Sequence, residues 1–232
     1  MLIIQTCDPY RYFPLFAITQ PTAARFAERH GHTYEAFVGI RRGHLPWHST
    51  YNRILLLHDL IARGVTGWLL YLDADSYIVD LDFNCADYLA DKQDRSFVFA
   101  PGARDPKPWQ VNAGIFFANL SNPLCLEICH KWHEGFLTRV SDATLAANKG
   151  SFDLYPDDQQ LLQETIEHGG ETLHKSVFVD VNQTFNYQGG RFARQVIRAH
   201  HSSFEDRLAS AQKEIDALLT PAAAPGVAPP SP

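Results

Sequence analysis

The sequence predicts an α/β protein: a three-layer α/β/α sandwich around a mostly parallel, Rossmann-like sheet. Three observations predict it. The chain of 232 residues is 45% hydrophobic and 20% charged, an ordinary globular composition with enough apolar material for a sizeable core. Two short apolar runs, Leu2-Ile-Ile-Gln-Thr6 and Trp68-Leu-Leu-Tyr-Leu-Asp73, have the length and the unbroken hydrophobicity of strands buried on both faces. Segments with helical periodicity separate such runs, which implies parallel pairing through right-handed crossovers.

Leu2–Thr6 is the first strand. A loop containing Pro and Tyr leads into a helix that ends near His30-Gly31, where glycine stops it. Thr33–Val38 is the second strand. After the polar loop 39–49, Tyr51–Ala62 has helical periodicity and stops at Arg63-Gly64; the strand ending in Asp73 follows. Ser96–Ala100 and Val111–Ala118 read as strands and Pro123–Leu137 as a helix. Residues 140–155 form a polar loop. Asp157–His168 is a helix whose first turn carries acidic residues at the positive end of its dipole. Val177–Val181 and Gln195–Ala199 are further strand candidates, and Glu205–Leu219 is an amphipathic helix. Residues 221–232 contain only Pro, Ala, Gly, Val and Ser, a composition that builds no core, so a single domain over 1–220 precedes a disordered Pro/Ala tail.

A net charge of -6 with scattered Lys and Arg leaves no basic footprint, so nucleic acid is not the expected partner. No apolar stretch approaches the roughly 20 residues that span a bilayer, and the start of the chain lacks the basic region of a signal peptide. The expectation is a cytoplasmic protein without a transmembrane segment, for which peripheral membrane contact stays open. Cys7, Cys85, Cys125 and Cys129 have no zinc-like pairing and read as free thiols; Cys125, Cys129, His130 and His133 are a weaker candidate metal cluster.

The chemistry concentrates where the third strand ends. Asp73 and Asp75, two positions apart, face one side of an extended chain at the carboxyl end of a strand, where open α/β sheets bind ligands. Two such carboxylates repel unless a divalent cation lies between them, and hard oxygens suit magnesium or manganese, which in turn hold diphosphate oxygens. Asn112 and Gly114 stand at the entry of a strongly apolar strand, able to hydrogen-bond a hydroxyl and to admit close backbone approach; a plain turn is the alternative. Asp158 and Gln159 open a helix, either as an ordinary N-terminus or as a carboxylate near a reacting carbon. His200 and His201 are candidates for a third metal ligand, and only one would serve because alternate residues point apart. Arg53, in the first turn of its helix, can reach a phosphate or a carboxylate of the metal site.

In that order along the chain, Asp73-x-Asp75, Asn112-x-Gly114, Asp158-Gln159 and the late His200 or His201 resemble glycosyltransferases of the GT-A fold, the galactosyl- and mannosyltransferase type, over about residues 1–204. The resemblance implies transfer of a sugar from a UDP- or GDP-sugar to a hydroxyl of a glycan, lipid or small-molecule acceptor, with retention favoured. It implies Mn2+, or Mg2+, on Asp75, with Asp73 supporting the metal and the ribose. Thr6, Cys7 and Asp8 would line the base pocket, within a nucleotide-binding half over 1–80. Asn112 and Asp158 would lie near the transferred sugar and acceptor, in an acceptor-side half over 81–220. This chain departs from the pattern with Arg53 where lysine is usual, and with Ser202-Ser-Phe204 where a glycine-containing loop usually follows the histidine.

Two other readings use the same aspartates. Phosphohydrolases of the haloacid dehalogenase type also end a strand in Asp-x-Asp, but near the N-terminus and with Thr or Val where this chain has Tyr77. A module that binds sugar nucleotides without turnover needs the same residues. Phosphate release from a phosphoester, nucleoside diphosphate release with manganese, and binding without either separate the three.

Overall fold

A computed structural model of the chain describes residues 1–104, 106–150, 156–187 and 189–220; the Pro- and Ala-rich segment 221–232 lies outside them. In chain order the elements are β1 (Leu2–Cys7), α1 (Phe13–His30), β2 (Thr33–Val38), α2 (Asn52–Ala62), β3 (Trp68–Asp73), β4 (Ser76–Ile78), α3 (Cys85–Leu89), β5 (Phe97–Pro101), β6 (Val111–Asn119), α4 (Pro123–Arg139), α5 (Asp142–Ala147), α6 (Asp158–His168), α7 (Gly170–Ser176), β7 (Val177–Val179), β8 (Ala193–Gln195) and α8 (Phe204–Leu219).

The main sheet has the order β2-β1-β3-β6-β5-β7, and a second small sheet pairs β4 with β8. β1 runs parallel to β2 and β3, β6 is antiparallel to both β3 and β5, and β7 is parallel to β5, so β6 alone is reversed. Strand alternation explains the three layers. On one face Ile4, Leu69, Tyr71, Phe97, Phe99 and Phe116 pack against α2, α4, α6 and α7. On the other, Ile3, Leu70, Leu72, Val98, Ile115 and Phe117 pack against α1 and α3. Each such side chain taken fully out of water contributes about 1.5–3 kcal/mol, which is why these strands carry no polar face.

α1 ends where Gly31 takes φ 63° and its amide caps the carbonyls of Ala27 and Glu28, a left-handed position that favours glycine. The chain returns along β2 on one side of β1, and α2 then delivers β3 to the other side. The crevice at this reversal opens at the carboxyl ends of β1 and β3, where Thr6 is level with Asp73. β6, being reversed, brings its first residues to the same end. Its register with β5 breaks there: Phe99 opposes Phe116 but Ala100 opposes Asn112, so residues 113–115 form an irregularity just after Asn112, which lines the crevice.

Three sequence expectations change. The polar loop 140–155 contains α5, whose N-cap Ser141 accepts the amide of Thr144. The strand expected over Gln195–Ala199 is instead β8, ending at Gln195, because its partner β4 is only three residues long; Arg198–His200 then form a 3-10 turn. β3 ends at Asp73 as expected, but the chain is not extended beyond it: Asp75 stands in the turn between β3 and β4. The four cysteines are free and buried, and His130 and His133 turn away from Cys125 and Cys129 to meet His58, whose ring stacks on His133 at 3.9 Å.

Candidate active site at the carboxyl ends of β1 and β3

A cleft of about 420 Å³ occupies this crevice. Thr6 and Cys7 line it from β1 and Asp8 from the loop that follows, Asp73 from β3 with Ala74 and Asp75 from the next turn, Asn112 from β6, Asp157 and Asp158 from the N-cap and first turn of α6, and Pro46, Trp47, Ser49 and Thr50 from the 3-10 turn before α2. The turn 73–76 is held from below by buried polar side chains. Gln5 Nε2 donates to the carbonyls of Asp73 and Ser76, both at 3.0 Å, and Thr19 Oγ1 donates to that of Ala74 at 2.8 Å. These buried donors satisfy carbonyls of the turn and so fix it.

Both aspartates are met by cations. Arg53 Nη2 donates to Asp73 Oδ1 at 2.6 Å, its Nε lies 2.9 Å from Asp158 Oδ2, its Nη1 donates to the Ala113 carbonyl, and its guanidinium lies 4.9 Å over the Tyr71 ring. Burial works against this charge, but Asp158 and Asp73 more than offset it and hold Arg53 protonated. Asp75 Oδ2 accepts from Arg207 Nη2, and its Oδ1 accepts from Gln195 Nε2 at 3.0 Å. Burial raises Asp73 from the usual carboxylate range to about 7; Arg53 opposes the rise, while Asp75 and Asp158 add to it. Five carboxylates and three guanidiniums, of Arg53, Arg198 and Arg207, line the cleft, a formal excess of two negative charges.

The expected residues are largely brought together, though several act structurally. Asp8 is buried, with its carboxylate accepting the amides of Tyr10, Arg11 and Tyr12 at 2.8, 2.6 and 3.0 Å, which closes the loop after β1. Thr6 pairs with the Tyr71 hydroxyl at 2.6 Å. Burial pushes the Cys7 thiol far up, with Asp8, Asp75 and Asp73 adding, so it is a neutral apolar wall. Asn112 Oδ1 accepts the Gly114 amide at 2.8 Å and the Asn186 side-chain amide at 2.6 Å; Asn186 sits at φ 63°, a conformation asparagine tolerates. A Cβ on Gly114 would lie 2.6 Å from Gln195 Oε1, so glycine leaves room for the residue that holds Asp75.

Asp157 is the N-cap of α6, accepting the Gln160 amide at 2.7 Å, which puts Asp158 in the first turn facing the cleft. Asp158 Oδ1 accepts from Thr50 Oγ1, and Trp132 Nε1 donates to its backbone carbonyl at 2.9 Å. Gln159 Oε1 accepts the Ala113 amide at 3.0 Å, tying α6 to the irregular start of β6. The late histidines are not brought in. His200 is exposed, His201 Nδ1 faces Asp206 at 3.6 Å, and neither lines the cleft. Among the described residues no three His, Cys, Asp or Glu side chains form a metal-ligand group.

Sequence reasoning missed Gln5, Tyr71, Asn186, Gln195 and Arg207. Gln5 left a signal, a lone amide in an otherwise apolar strand. Arg207, between acidic and apolar neighbours on an amphipathic helix, left none.

In three dimensions the chain is similar to a solved glycosyltransferase involved in the glycosylation of the major capsid of PBCV-1, with TM-score 0.65 and 13% identity over 91% of this chain and 98% of that one. It is also similar to the galactosyltransferase LgtC solved with donor and acceptor sugar analogues, with TM-score 0.48 and 12% identity over 95% and 97% of the two chains. A further likeness is to the apo-form glycosyltransferase GlyE of Streptococcus pneumoniae TIGR4, with TM-score 0.46 and 11% identity over 84% of this chain and 54% of that one. No family model matches the sequence, and no curated protein matches it. The first of these likenesses carries the assignment: this is a GT-A-like glycosyltransferase fold, as the order of motifs implied. No helix among the described residues is long and apolar enough to cross a membrane.

Proposed function

We propose that the chain transfers a sugar from a UDP- or GDP-sugar to a hydroxyl of a glycan, lipid or small-molecule acceptor, with retention and with the help of Mn2+ or Mg2+. The single observation that carries the reading is the convergence of Asp73, Asp75, Asn112 and Asp158 on one cleft at the switch point of a glycosyltransferase fold. The donor set suits a divalent cation: two hard carboxylates, in a cleft with two negative charges in excess, where burial first, and Asp75 and Asp158 after it, raise Asp73. Asp73 and Asp75 would hold the ion, with diphosphate oxygens and water completing a shell that such sites rarely build from protein alone. When bound, the ion supplies charge neutralisation at the departing diphosphate, the largest electrostatic demand of the reaction.

The residues of this chain then position and orient. Thr6, Cys7 and the loop closed by Asp8 wall the nucleotide side. Asn112, its amide oxygen already held by Gly114 and Asn186, presents its amide nitrogen to a sugar hydroxyl. Arg53 fixes Asp73 and Asp158 relative to each other. Asp158 shares its charge with Arg53 and a hydroxyl bond with Thr50, which suits holding the sugar and acceptor better than taking a proton. That commitment supports retention, in which acceptor and leaving group share a face and no strong base is needed. A phosphohydrolase needs a free nucleophile at the first aspartate, and here Arg53, Tyr71 and Gln195 all contact Asp73.

The test is release of nucleoside diphosphate from a panel of UDP- and GDP-sugars with manganese. A donor present at a hundred times its Kd stabilises the fold by about 2.7 kcal/mol, so a thermal screen identifies it first. Asp75→Ala is expected to abolish release while retaining a cooperative melt; full activity in that variant sinks the reading.

A further inference from the structure

Of the two cleft cations that the proposed transfer leaves without a task, Arg198 and Arg207, Arg207 is the one buried against a carboxylate of the proposed metal pair. It comes from α8, far along the chain from the aspartates, and reaches Asp75 with 4% of its side chain exposed against 10% of its partner's. Both oxygens of Asp75 are engaged, Oδ2 by Arg207 Nη2 and Oδ1 by Gln195. A guanidinium has no lone pair to offer a metal and carries the same sign of charge. A divalent cation on Oδ2 would compete with Arg207 for the lone pairs and the charge of that oxygen, at close quarters with a like charge.

The two arginines of the site differ in how they are held. Arg53 is bound on all sides, to Asp73, Asp158 and the carbonyls of Thr50 and Ala113. Arg207 meets a single carboxylate, Asp75, where Arg53 meets two; its Nε reaches the Val196 carbonyl at 2.9 Å, and its Nη2 donates to that carbonyl as well. Its Nη1 already lies 3.5 Å from the Tyr12 hydroxyl, and its Cζ lies 5.4 Å from the centre of the Tyr12 ring, on the cleft wall. Arg198 donates to the same hydroxyl at 2.6 Å. The Arg207 guanidinium thus already lies against an aromatic face that accepts cations, and keeps that partner when it releases Asp75.

We propose that Arg207 is the resident counter-ion of Asp75, which a divalent cation must displace to bind: the site exchanges one cation for another rather than filling a bare carboxylate pair. The proposal rests on the metal reading given above. Its consequence is a low affinity for free metal, since every binding event first breaks a buried ion pair.

Binding of Mn2+ alone to the full chain, followed by the electron paramagnetic resonance signal of the free aquo ion, tests it with no donor or turnover involved. Arg207→Gln is expected to bind Mn2+ about tenfold or more tightly than wild type. Arg207→Lys, which keeps a cation, is expected to stay near wild type, and Asp75→Asn to lose binding. Should the glutamine variant lack a cooperative melt, Arg207→Met takes its place with the same expectation. Equal or weaker Mn2+ binding in the neutral variant, with binding lost in Asp75→Asn, overturns the counter-ion proposal and leaves the metal reading standing. Wild-type binding in Asp75→Asn overturns both.

Discussion

Arg53→Met removes the guanidinium that joins α2 to β3, β6 and α6, and its effect can be worked from the structure. Arg53 is 6% exposed and Asp158 7%, so this pair is buried, whereas Asp73 keeps 21% and its share must be discounted for solvent. Breaking a buried pair by removing one partner destabilises by about 3–5 kcal/mol, a large part of a total near 5–15 kcal/mol. The loss should depend on pH with a definite sign. Asp73 already stands at about 7, above its ordinary 3.8, with Arg53 opposing the rise; without Arg53 it climbs further. A carboxylate raised in the folded state binds its proton there first, so stability falls as pH rises and recovers on acidification. The destabilisation is therefore greatest near pH 8 and shrinks toward pH 5.5, by up to about 1.4 kcal/mol for each unit of further rise. Urea unfolding of both proteins at the two pH values, with chelator present, measures it. Adding Asp158→Asn to the variant should restore part of the loss, because the neutral side chain no longer needs the cation. A pH-independent loss below about 1 kcal/mol, or strict additivity in the double variant, refutes the bridging role.

Two further expectations follow from the contacts around the site. In Gly114→Ala the new methyl displaces the flexible end of Gln195, so unfolding should shift by less than about 1 kcal/mol while donor turnover falls about tenfold or more, since Gln195 steadies Asp75; unchanged turnover contradicts the placement. His48 is buried, and its Nδ1 accepts the amides of His44 at 2.9 Å and Leu45 at 3.2 Å, which requires the neutral ring and holds the turn carrying Trp47 and Thr50. Burial lowers its pKa from 6.5, the Asn148 bond opposes, and His44 lowers it further. A depressed folded value means a stabilisation that is whole above pH 6.5 and is lost as pH falls below it and through the folded value. His48→Gln should flatten the melting temperature's dependence on pH between 7.5 and 5, and an unaltered profile tells against the loop anchor.

The parts of the fold that were legible are those where one local rule decides. Strands with both faces buried need near-continuous apolar runs, so β1 and β3 announced themselves and their spacing placed the sheet. The end of β3 was legible for the same reason: an apolar run that stops in carboxylates marks where a strand leaves the core, and β3 ends at Asp73 with Asp75 in the turn that follows. Asp158 and Gln159 were half legible, because a helix N-terminus calls for acidic residues whether or not a ligand is near. The late histidines failed because strand length depends on the partner: β8 stops where β4 runs out, a pairing over more than a hundred residues that no local pattern encodes. The same distance hid Gln195 and Arg207, ordinary residues on a short strand and a surface-patterned helix until the β4–β8 pairing and the packing of α8 on α1 set them beside Asp75.

That division has a physical basis in charge. A strand end rich in acid can be read from its own sequence, but the cations that make it tolerable in a folded protein come from wherever the topology supplies them. Here the nearer one, Arg53, lies just before β3 in sequence and is bound on every side; it belongs to the frame. The farther one, Arg207, arrives from the last described helix, meets one carboxylate where Arg53 meets two, and lies over the Tyr12 ring. On the proposed function, a cleft that is stable without its ligands and yet admits a cation and a diphosphate would use both kinds: a fixed charge that keeps the carboxylates aligned, and a displaceable one that neutralises them until the ligands arrive. Removing the first should be read in stability, and removing the second in metal affinity.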